Sequence, residues 1–187
     1  MIVSTRTTPP SVPLWTSDEA ITRLHLSVDS EEDNELIDFY IQSATDHVEG
    51  PRGTLLGRAL INQTWTVTGE SFDEFYRLPI APVSTVVISY IDENGDTIVL
   101  PDDSYILRED HIILKSGQTW PATNGISMVL TAGYGPASTD VPSSIRHAIL
   151  LLVGHWYANR EAVSNPGFAT VPIGAEHLLS LHRRMYL

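Results

Sequence analysis

Seven histidines and 23 acidic residues are the groups in this 187-residue chain best suited to chemistry, so their spacing is weighed first. His147 and His155 stand eight residues apart on what reads as one helix, too far to share one metal ion. His177 and His182 are five apart, off a common helical face. No His-Glu-x-x-His occurs. With no cysteine in the chain, disulfides, thiolate catalysis and cysteine-held zinc or iron–sulfur sites are excluded. No serine lies in Gly-x-Ser-x-Gly. A serine–histidine–acid triad needs no fixed order along the chain, so a small hydrolase with dispersed residues remains one reading. Arg52-Gly53-Thr54-Leu55-Leu56-Gly57-Arg58 has two arginines around two glycines, as a phosphate loop might, but no Gly-Lys-Ser/Thr follows. It reads as a structural connector. Asp92, Glu93 and Asp96 crowd a turn without the ligand spacing of a calcium loop. No catalytic residue, metal ligand or cofactor site is assigned.

The elements that must position these groups follow from periodicity. Residues 1–15 hold Pro9, Pro10 and Pro13 and read as an extended arm. Thr16-Ser17-Asp18-Glu19 has the spacing of a capping box, which starts a short helix with Ile21 and Leu24 inward. A second helix begins near Asp29 or Ser30, with Glu31, Glu32 and Asp33 at its positive end. Leu36, Ile37, Tyr40, Ile41, Ala44 and Val48 form its apolar stripe, and Gly50-Pro51 stops it. From residue 60 the period becomes two. Strands are expected at Gln63–Thr68, with Trp65 and Val67 on one face, and at Val83–Tyr90, 98–100, 105–107, 111–114 and 126–131. Asp92-Glu93-Asn94-Gly95 marks a hairpin. Pro142–Ala162 then reads as a helix apolar on more than one side, and Ala175–Met185 as a last one.

The fold class is therefore α+β: a small helical bundle from both ends of the chain, with an inserted antiparallel β-sheet or barrel. The expected organisation is an arm over 1–15, a helical domain over 16–59 and 135–187, and a β domain over 60–134.

Charge is uneven. The net value is −12, with 2 basic and 10 acidic residues over 1–50, 5 and 11 over 51–141, and 4 and 2 over 142–187. An acidic body argues against general duplex DNA binding, which needs clustered Lys and Arg. It is compatible with a surface that DNA passes without adhering. No stretch has the length and apolar character of a membrane span. The start of the sequence lacks a basic-then-apolar leader pattern, so a cytoplasmic setting is expected.

Five stretches in order carry a resemblance: EEDNELIDFYIQSATDHVE, GRALINQTW, LPIAPVSTVVISYIDENGD, LTAGYG and VPSSIRHAILLLVGHWYANREA. Together they resemble the head–tail connector, or adaptor, proteins of long-tailed double-stranded DNA phages and related gene-transfer particles, in the branch with a β insertion between its helices. The resemblance implies a non-enzymatic virion neck protein, present in the host cytoplasm before assembly. Such adaptors form a twelve-fold ring of neighbouring copies beneath the portal protein, pass DNA without reading its sequence, and present a surface to the next neck, stopper or tail protein. It further implies a C-terminal docking segment, placing Leu178, Leu181, His182, Arg183, Arg184 and Tyr186 toward the portal. Arg160 and Glu161 become candidate subunit contacts, and Glu31, Glu32, Asp33, Glu35 and Asp38 candidate channel-facing acids. The competing readings are the small hydrolase and a carbohydrate- or protein-binding β module.

Overall fold

The structure, a computed structural model, describes residues 2–28, 31–72, 77–159 and 172–184. The chain forms two compact units: the residues up to Ser11 with Ala59–Pro136, and Val12–Arg58 with the residues from Ala137 onward.

The β unit holds seven strands: β1 (Val3–Thr8), β2 (Gln63–Gly69), β3 (Val83–Ile91), β4 (Thr97–Val99), β5 (Tyr105–Leu107), β6 (Ile112–Leu114) and β7 (Ile126–Ala132). Five make one sheet in the order β1-β2-β7-β3-β4, with every pairing antiparallel. The other two, β5 and β6, pair as a separate ribbon. Alternation decides the faces. Trp65 and Val67 of β2, Val86 and Ile88 of β3, and Met128 and Leu130 of β7 are buried in one core. Tyr105 and Ile112 of the ribbon join that core, and the Tyr105 hydroxyl donates to the Val86 carbonyl at 3.1 Å. Phe72 stacks on Trp120 at its margin, the ring centroids 4.4 Å apart.

The extended residues near the start of the chain do not form a separate arm. Val3–Thr8 is hydrogen-bonded along β2 as an edge strand, with register partners from Val3↔Thr68 to Thr8↔Thr64. Prolines 9 and 10 fall just after the ladder, where no N–H is needed.

The helical unit contains α1 (Ser17–Leu24), α2 (Glu31–Val48), α3 (Ser143–Ala158) and α4 (Ile173–Ser180). Thr16 caps α1 as its spacing predicts. The Glu19 N–H donates to the threonine hydroxyl at 3.3 Å, and the Thr16 N–H donates to the Glu19 carboxylate at 3.1 Å. Helix α2 buries Ile37, Ile41, Ala44 and Val48, one residue per turn on a single face. Helix α3 buries Ile145, Ala148, Ile149, Leu150, Leu152 and Val153. That breadth follows from its position, since α1, α2 and α4 all pack against it. Each large buried side chain stabilises the unit by about 1.5–3 kcal/mol relative to exposure. Polar ties fix the neighbours: the Trp15 indole donates to the Arg146 carbonyl at 3.1 Å, and the Arg146 guanidinium lies 4.3 Å from the same ring. Tyr40 of α2 meets Trp156 of α3 edge-on at 6.2 Å.

Candidate docking segment and its seat

The seat begins where α2 stops. Gly50 turns the chain with φ +84°, and Leu56 and Gly57 have φ +55° and +88°. Residues 50–58 thereby coil into a closed loop. Its own bonds are short: Gly50 N–H to Arg58 O at 2.7 Å, Gly57 N–H to Gly50 O at 2.8 Å, Thr54 N–H to His47 O at 2.9 Å and Leu55 N–H to Val48 O at 3.1 Å. Leu55 is wholly buried and anchors the loop. These N–H groups bond within the loop or back to the last turn of α2, and the carbonyls of Thr54, Leu55 and Gly57 accept from another segment.

The chain's last described residues take them. Helix α4 stops at Ser180, short of the expected Met185, so His182, Arg183 and Arg184 follow the helix rather than ending it. The Arg183 Nε donates to Thr54 O at 3.0 Å. The Arg184 N–H donates to Leu55 O at 3.3 Å, and its Nη1 donates to Gly57 O at 3.3 Å. In return, Arg58 Nε donates to His182 O at 3.3 Å. His182 Nε2 also lies 2.6 Å from Ser144 Oγ at the start of α3. The RGTLLGR stretch is thus a connector, as expected, and its carbonyls are also the receptor for the C-terminal segment.

Burial of the His182 imidazole, and then the Arg58 charge, hold its pKa below the usual value of 6.5. The released segment therefore binds more protons than the seated one between the lowered value and 6.5, and seating weakens as pH falls through that window. Lowering the pH from 7.5 to 5.5 is expected to reduce the melting temperature of the native chain more than that of His182→Asn. Identical pH dependence in the two proteins would remove His182 from the latch.

The predicted docking residues separate by burial. Leu181 is 67% exposed and Arg183 is exposed, while Leu178 and His182 are half-buried. Arg184 is only 4% exposed. It lies beneath the surface, bonded to Gly57 O. Tyr186, Arg160 and Glu161 lie outside the described residues. Ile173, 80% exposed at the start of α4, was missed because the residues before Ala175 read as an extension. On α2, Glu31, Glu32, Glu35 and Asp38 are exposed and Asp33 is half-buried. Phe39, 62% exposed, stands among them. Its position off the apolar stripe could have singled it out in the sequence.

The other chemical candidates do not converge. Among the described residues no group of three or more His, Asp or Glu side chains could hold a metal ion. Asp92 accepts the backbone N–H groups of Asn94 at 2.9 Å and Asp96 at 2.8 Å. These bonds, the Asp96 N–H foremost, lower its pKa, as in a solvated turn. No described helix is long and apolar enough to cross a membrane.

No family model matches the chain, and no curated protein matches it by sequence. Solved structures do match. A chain in the virion of a native gene transfer agent particle is 21% identical with a TM-score of 0.77, the match covering 99% of this chain and 97% of that one. A chain in the neck of the empty particle, with C6 symmetry, is 21% identical with a TM-score of 0.75 over 100% and 97%. One in the neck of the native particle, with C12 symmetry, is 19% identical with a TM-score of 0.68 over 97% of each. The chain therefore has the α+β fold found in gene transfer agent necks, helices flanking an antiparallel sheet, along almost its whole length.

Proposed function

We propose that this protein is a structural adaptor of a virion neck. It forms a ring beneath the portal, passes DNA without binding its sequence, and offers a docking surface to the next neck, stopper or tail protein. The observation that carries this reading is the near full-length fold match to particle chains, including one from a neck with C12 symmetry. Two features of the chain support it. Four exposed acids share the first half of α2, a surface that repels phosphate and so lets duplex slide. The segment after α4 exposes Leu181 and Arg183, an apolar and a basic group suited to an acidic portal surface.

In this role the helical unit supplies the ring's body, and the β unit contacts neighbouring copies or other particle proteins. Arg160 and Glu161 remain candidate subunit contacts. The test is direct imaging of the protein mixed with its cognate portal. A coaxial ring is expected, and its persistent absence under assembly conditions would sink the reading. In the same assay the Leu181→Asp/Arg183→Glu double variant should bind the portal at least tenfold more weakly. Unchanged affinity would remove the C-terminal segment from the docking surface while leaving the ring.

A further inference from the structure

The outward face of the five-stranded sheet is free of charge. Thr5, Thr66, Val129 and Val87 form one cross-strand row. The next row runs from Val3 to Val99 through one threonine and two serines. Neither row contains Asp, Glu, Lys or Arg, although the chain holds 34 such residues, 11 basic and 23 acidic. Val87 is 51% exposed and Val129 43%, so the middle of this face is apolar and open.

A second apolar surface lies on the other side of the same unit. Tyr105 and Ile112 of the ribbon enter the core beneath the sheet. Alternation then turns their neighbours Ile106 and Ile113 the opposite way. These two are direct cross-strand partners, 38% and 41% exposed, and form a short ridge. Of the two acids at the ribbon's turn, Asp110 is paired with Arg77 at 3.1 Å, and Glu109 is exposed beside it. The β unit thus carries a flat face and a ridge on opposite sides, with its core between them.

Two unlike surfaces on opposite sides suit a head-to-tail contact, in which one copy's ridge meets the next copy's face. A twofold pair would need one self-complementary surface instead. Charge selects the occupant. Every copy carries −12, so most approaches between copies bring carboxylates together, whereas the flat face has none to oppose. We propose that the Ile106–Ile113 ridge of one copy seats on the Val87–Val129 face of the next, as a repeating contact of the ring. This rests on the ring reading above. With strands about 4.8 Å apart, the face covers on the order of 300 Å², well short of the roughly 800 Å² per partner of a standard stable interface. The contact therefore closes when copies are gathered on a platform, and the dilute free protein is monomeric.

The absence of cysteine makes the test clean. Val129→Cys and Ile113→Cys are prepared separately, mixed at high chain concentration and treated with a short bismaleimide. Both sites are more than 40% exposed, and unchanged thermal melts verify the fold. The mixture should yield a covalent pair that neither variant yields alone, and the V129C/I113C double variant should give a ladder of larger products. No pair from the mixture, or equal pairing by Val129→Cys alone, overturns the contact. Imaging the unsubstituted protein on its portal separates the two ideas. Rings without this cross-link remove the contact and keep the ring, whereas the cross-link without rings keeps the contact and removes the ring.

Discussion

Replacing Gly53 with alanine should destabilise the helical unit by about 3 kcal/mol or more, the scale reserved for backbone clashes and other named structural failures. A Cβ at this position would overlap the Glu49 carbonyl oxygen and lie 2.5 Å from the Val48 oxygen and 2.6 Å from the Glu49 carbon. All three are backbone atoms, so no side chain can rotate away. Moving them disturbs the Leu55 N–H to Val48 O bond, 3.1 Å in the native loop, and with it the buried Leu55 anchor. The carbonyls that receive Arg183 and Arg184 would then be displaced together. At roughly 2–4 °C per kcal/mol for a chain of this size, the melting temperature should fall by about 6–12 °C. Trypsin should also cleave after Arg183 and Arg184 more readily. Gly154→Ala is the matched control. A Cβ there meets only Leu24 side-chain atoms at 3.5 Å, and alanine is the better helix former by about 1 kcal/mol. If Gly53→Ala melts with the control, the loop is not a rigid seat.

That seat shows where sequence reasoning reached and where it stopped. The helices and strands were legible because each carries its own period. Ile37, Ile41, Ala44 and Val48 repeat at helical spacing, while Trp65 and Val67 alternate with threonines. The Thr16–Glu19 box was legible because both of its bonds are local. The edge strand β1 was not, because its partner lies some 60 residues away and its short polar run has no apolar alternation. The tail's seating was hidden for the same reason: it joins Arg184 to Gly57 across 127 positions, through carbonyls that every residue possesses. Basic side chains near the C-terminus read naturally as partners of a helix dipole or another protein. Only coordinates distinguish Arg183, at the surface, from Arg184, beneath it. The uncharged sheet face was partly legible in the threonines of β2, but its extent depends on which strands adjoin.

The contrast between those adjacent arginines makes the second large effect predictable. Arg184→Ala should cost about 2–3 kcal/mol, because hydrogen bonds from a charged donor are worth roughly 1.5–3 kcal/mol and the buried stem adds packing. Arg184 is 4% exposed, and Nη1 donates to a loop carbonyl. Truncation would leave that Gly57 oxygen without this donor inside the structure. Arg183→Ala should cost no more than about 1 kcal/mol, because its Nε bond to Thr54 O lies at the exposed surface and water replaces it readily. Arg184→Lys should fall between the two, keeping the charge and stem but losing the planar fork. Urea unfolding of the three variants tests the order. A burial-controlled latch predicts Arg184→Ala well below Arg183→Ala in stability, with Arg184→Lys in the middle. Equal losses at positions 183 and 184 would instead mean that net positive charge holds the segment. A lysine as costly as alanine would show that the guanidinium fork, more than stem packing, makes Arg184 the residue that seats the segment.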